Sequence, residues 1–76
     1  MNAADAVLRM IGRSGKTKSG ISSELGKTRN FVTSSISQAE KRGACWNPQV
    51  DTFIALAKCC GYSVVIKGRD EEIDLE

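Results

Sequence analysis

Apolar residues recur every three or four positions in four short segments of this chain, and glycines or clusters of turn-forming residues separate the segments. That spacing sets apolar side chains on one face of a helix, and the interruptions keep each helix short. With 76 residues in total, such a chain has room for one domain, and a domain of this size buries only about 60% of the surface its unfolded form exposes. Its core must therefore be shared among short packed helices.

Taken in order, Ala3, Val7 and Met10 with Ala4, Leu8 and Ile11 predict a first helix over about 3–12, closed by Gly12. Thr17 is placed to cap a second helix over about 18–25 by accepting the amide near Gly20, and Gly26 suits a left-handed stop. Thr28 is read as the cap of a third helix over about 29–39, with Phe31, Val32, Ser35, Ile36 and Ala39 along one face. Glu40 to Gln49 reads as a loop, with an Asn47 cap and Pro48 as first helical residue the alternative for its end. The fourth helix, over about 50–60, carries Val50, Phe53, Ile54, Ala57 and Cys60 on one stripe, and Gly61 ends it.

Beyond Gly61 the period changes to two. Tyr62, Val64 and Ile66 alternate with Ser63, Val65 and Lys67, and Ile73 and Leu75 alternate with acidic residues, with turn formers Gly68 to Asp70 between. Strands over about 62–67 and 71–75 in a hairpin are the simplest reading, with a disordered acidic tail after Asp70 as the alternative. The expected architecture is mainly α: a compact four-helix domain with a short C-terminal β-hairpin or strand. Within it, the second and third helices are joined by a turn of about three or four residues, the layout of a helix-turn-helix.

Several functions are disfavoured by composition. No apolar run approaches the roughly 20 residues of a membrane span, and Met1 to Ile11 lacks the basic start and solid apolar run of a secretion signal. A cytoplasmic location is expected. Cys45, Cys59 and Cys60 are odd in number, and a chain without histidine gives them no zinc-ligand spacing, so no metal or cofactor is expected. The segment GRSGKT, Gly12 to Thr17, shares its Gly-Lys-Thr with phosphate-binding loops, but the first glycine of that motif would fall on Met10. No nucleophile has a nearby base. The chain is read as a non-enzyme with no small-molecule substrate.

Charge is distributed unevenly. Residues 1–42 carry eight basic side chains against Asp5, Glu24 and Glu40, a net +5, whereas residues 43–76 carry a net −3. The first half suits a polyanion and the second does not.

The stretch Thr17 to Ile36, TKSGISSELGKTRNFVTSSI, resembles the helix-turn-helix of the Cro/C1-type (XRE-like) phage and bacterial repressors, a lambda-repressor-like fold. VDTFIALAKCCGYSVVIKG, from Val50, resembles the helix, glycine and short strand that follow in many small members. Ile21, Leu25, Gly26, Val32 and the Phe53–Gly61 segment carry the match. Ser22 stands where alanine is usual, Gly20 replaces a helix former, and Ser35 occupies a site usually apolar. The resemblance implies a homodimeric, sequence-specific regulator of double-stranded DNA. It puts base reading on Thr28, Arg29, Asn30, Thr33 and Ser34, and phosphate contacts on Lys18, Lys41 and Arg42.

Side-chain chemistry supports the same residues independently. Arg29 offers paired donors suited to guanine, and Asn30 a donor and acceptor suited to adenine. Thr28, Thr33, Ser34 and Ser37 form a short polar surface, and hydroxyls such as those of Thr17 and Ser37 can hold phosphates. A cation at a helix start, Lys18, can clamp a phosphate together with free amides. Trp46 is read as a core lid or dimer contact rather than a base-stacking group. The alternative function is a protein-interaction module or antitoxin-like partner whose acidic end meets a basic protein.

Overall fold

The computed structural model describes residues 1–75: α1 (Ala3–Ser14), α2 (Lys18–Glu24), α3 (Phe31–Lys41), α4 (Val50–Cys59), β1 (Val64–Lys67) and β2 (Glu72–Leu75). Glu76, assigned to the acidic end, lies outside the described residues. The molecule is a mainly helical small domain with a terminal two-stranded antiparallel sheet.

Asn2 starts α1 with a reciprocal cap: its side chain accepts the Asp5 amide at 2.8 Å, and Asp5 accepts the Asn2 amide at 3.4 Å. Gly12 does not end this helix, contrary to the sequence reading. The helix continues to Ser14, because a single glycine only weakens a helix by about 1 kcal/mol relative to alanine, and it stops where Gly15 turns left-handed at φ 77°. Met10, Ile11, Val7 and Ala4 are buried, while Leu8, expected on the buried face, is 37% exposed.

The Thr17 cap of α2 forms as expected, its hydroxyl accepting the Gly20 amide at 2.9 Å. At the other end Gly26 has φ 74°, and the Lys27 amide reaches back to the Ser22 carbonyl at 3.0 Å. That bond fixes the exit direction of the chain.

The start of α3 is corrected. Thr28 is not its cap: the Phe31 amide donates to the Thr28 carbonyl at 3.0 Å, closing a turn that consumes Arg29 and Asn30 before the helix begins at Phe31. The helix also runs two residues past Ala39. The expected start of α4 near residue 50 holds, whereas the alternative with Asn47 as cap and Pro48 as first residue does not. Gln49 is the flanking residue, extended at φ −61° and ψ 153°, and the helix begins at Val50.

The hairpin is two residues shorter at its start than the pattern predicts. The Tyr62 amide is taken by the Ala57 carbonyl at 2.8 Å in the cap of α4, so β1 begins at Val64. The Glu71 carbonyl accepts the Gly68 amide at 2.8 Å within the loop, so β2 begins at Glu72. The register pairs Val64 with Leu75, Val65 with Asp74, Ile66 with Ile73 and Lys67 with Glu72. Val7, Met10, Ile11, Ile21, Val32, Leu56, Ala57 and Cys60 make the core, with Val64 packed against it. Tyr62 and Ile66, on the same face of the pattern as Val64, are 40% and 51% exposed.

Candidate nucleic-acid interface

Ile21 and Val32, both fully buried, hold α2 and α3 against the core. A polar link adds direction to this apolar packing. Ser22, also fully buried, donates from its hydroxyl to the Lys18 carbonyl at 2.7 Å and accepts the Val32 amide at 3.3 Å. The first amides of a helix have no partner within it. Ser22 supplies one for α3 from the neighbouring helix, which fixes the start of α3 relative to α2.

Burying Val32 and Ala39 turns the opposite side of α3 to solvent. Asn30, Ser34, Ser37 and Lys41 follow one another at intervals of three or four and therefore form one stripe, with Thr33 beside it. All five are exposed. Lys18, Thr33 and Ser37 line one groove together with Leu8, Ile36 and Glu40. The candidate phosphate cation at the start of α2 is thus brought beside the short polar face of α3. Thr28 and Arg29 stand outside this groove, exposed in the turn that leads into α3. Arg42 follows the end of α3, exposed next to Lys41. Thr17 is exposed too, but its hydroxyl is already engaged by the Gly20 amide.

Not every basic side chain of the first half is free. Lys16 donates to Glu24 at 3.0 Å and to the Cys59 carbonyl at 2.9 Å, tying the approach to α2 to the end of α4. With Glu24 held there and Asp5 in the α1 cap, Glu40 is the acid of this half that lines the groove. Lys27 sits with its Nζ 5.5 Å from the centre of the Phe31 ring. Phe31 in turn meets Trp46 edge-on, with centroids 5.9 Å apart and planes at 84°. Trp46 is half-buried there and closes the loop after α3 over the start of that helix.

Two residues near this face went unweighed in the sequence. Glu40 lines the groove, and Gln38 is exposed on the flank of α3. Continuing the three-to-four spacing of the exposed face to the helix end would have found both. Cys45 is exposed and Cys60 buried, and burial pushes the Cys60 thiol pKa up, partly offset by a hydrogen bond with Ser14. Among the described residues, no three His, Cys, Asp or Glu side chains converge as a metal site, and no helix is long and apolar enough to cross a membrane.

Compared with protein-family models, curated proteins and solved structures, the chain has no significant match.

Proposed function

We propose that the chain binds double-stranded DNA with α3 in the major groove and the start of α2 on the phosphate backbone, in the manner of a Cro/C1-type helix-turn-helix repressor. The observation that carries this reading is the groove shared by Lys18, Thr33 and Ser37, next to the exposed stripe of Asn30, Ser34 and Lys41. Short polar side chains let a helix approach base edges closely, and cations at both ends of the face grip phosphates. Arg29 and Asn30, in the turn, reach bases from the leading end of α3. The acidic hairpin lies in the half of the sequence that avoids the polyanion. The protein then acts in the cytoplasm as a homodimeric transcriptional regulator that represses by occupying its operator, with no catalysis.

Fluorescence anisotropy with a labelled duplex of random sequence tests the electrostatic half of this reading. Non-specific binding with a Kd of roughly 10⁻⁴ to 10⁻⁶ M at physiological salt is expected, weakening steeply as salt rises. A chain that leaves the duplex free at about 100 μM protein and low salt contradicts it.

A second reading, a protein-interaction module, draws on the acidic run Asp70 to Glu72 and on the exposed apolar side chains of Val50, Ile66 and Ile73.

A further inference from the structure

Leu8 is exposed although the apolar spacing of α1 includes it. With Ile36 and Glu40 it stands between two openings. On one side is the groove of Lys18, Thr33 and Ser37. On the other is a cleft of about 170 Å³ bounded by the start of α1, the end of α3 and the loop that carries Trp46. Ala4, Leu8, Ile36 and Trp46 give this cleft apolar walls, and its two charged groups are the carboxylates of Asp5 and Glu40. Among the described residues, no lysine or arginine lines it. Asp5 gives one oxygen to the α1 cap at 3.4 Å, and neither acid makes an ion pair among the described residues. The dipole of α1 is positive at this end and that of α3 is negative, so the two offset and the carboxylates set the sign of the cleft.

We propose that this cleft binds a small organic monocation, an ammonium group carried on a single apolar ring, and that its occupancy tightens DNA binding. A cavity of about 150 Å³ accommodates benzene, so a cleft of about 170 Å³ has room for one ring. The ring packs on Leu8 and Ile36, and the ammonium meets the carboxylates. The Trp46 indole, the aromatic group that attracts cations best, supplies the remaining wall. A hydrated metal ion gains nothing from the apolar walls, and a neutral ring leaves both carboxylates without a counter-charge. Glu40 links the cleft to the DNA face, because the same side chain lines the groove of Lys18. An ammonium beside Glu40 cancels the charge that repels phosphates there. By linkage, bound DNA then raises the affinity for the cation by the same factor. This coupling rests on the DNA reading, whereas the binding site does not.

Trp46 is the one tryptophan of the chain, so its fluorescence reports on the cleft directly. Titration of the full chain with benzylammonium chloride, at an ionic strength held constant with sodium chloride, is the test. The signal should saturate with a Kd of about 1 mM or below, within reach of so small a ligand. Benzyl alcohol, which keeps the ring without the charge, and methylammonium, which keeps the charge without the ring, should each bind at least about fivefold more weakly. Glu40→Gln should weaken benzylammonium about threefold, and Ala44→Leu, which fills the cleft from an exposed loop position, should abolish saturation. In anisotropy with a labelled duplex, saturating benzylammonium should tighten wild-type binding severalfold and leave Glu40→Gln unmoved. A signal that does not saturate, that benzyl alcohol reproduces equally, or that both variants leave unchanged overturns the site. Saturation with the wild-type duplex affinity unmoved overturns the coupling. A chain that binds no duplex at all fails the DNA reading instead, and the Trp46 titration still decides the site.

Discussion

The Ser22 hydroxyl accepts the amide of Val32, ten residues further along, at 3.3 Å. One buried side chain thereby joins the two helices whose relative placement sets the candidate interface. Ser22→Ala leaves a buried amide without an acceptor, which costs about 1–3 kcal/mol, and recovers a few tenths through better helix propensity. A net loss of about 1 kcal/mol should lower Tm by roughly 4–8 °C in a chain of this size. A melt unchanged from wild type would remove the Ser22–Val32 bond from the account.

Gly26 at φ 74° has nothing within 4 Å of where a Cβ would stand, so a substitution there meets backbone strain and not crowding. Gly26→Val should cost at least about 1–2 kcal/mol, with Gly26→Asn much milder. Chemical denaturation of the two variants checks the order; equal midpoints would contradict a left-handed turn.

Lys16 and Lys18 separate structure from binding. Lys16 is committed to Glu24 and the Cys59 carbonyl, whereas Lys18 lines the groove beside Thr33. Lys18→Ala should weaken binding to all duplexes alike and lower the salt slope by about 1. Lys16→Met should leave that slope unchanged and cost under about 1 kcal/mol of stability, because the pair is largely solvent-exposed. Identical salt slopes for the two variants would remove Lys18 from the phosphate contacts.

Glu40 places a carboxylate in the same groove. Glu40→Gln should tighten binding to every duplex severalfold by removing repulsion from phosphates. A loss of discrimination at one C·G pair without general tightening would mean instead that Glu40 accepts from a cytosine amine.

Thr17, Gly26 and Gly61 marked real boundaries because each signal is local: a cap that bonds three residues ahead, and glycines that alone tolerate the left-handed region. The start of α3 was not legible for the opposite reason. Thr28 has the chemistry of a cap, but after the left-handed Gly26 the chain turns once more through Arg29 and Asn30, and the partner of the Val32 amide comes from another helix. The role of Ser22 was hidden likewise, since in the sequence it reads only as a departure from alanine. The apolar surface at Val50 was missed because periodicity says which residues share a face, not whether another element covers it. In the candidate interface, the exposure of Thr33, Ser34 and Ser37 followed from helical spacing, whereas their approach to Lys18 is a tertiary fact.

Selection of bound sequences from a pool of random duplexes by the full chain, at physiological salt, tests the central claim most directly. The account predicts an enriched site with two symmetric half-sites whose centres lie about one helical turn, roughly 34 Å, apart. It also predicts that Arg29→Ala relaxes one base position in each half-site at a cost of about 1–3 kcal/mol. A pool that shows no enrichment after repeated rounds would contradict DNA recognition by α3.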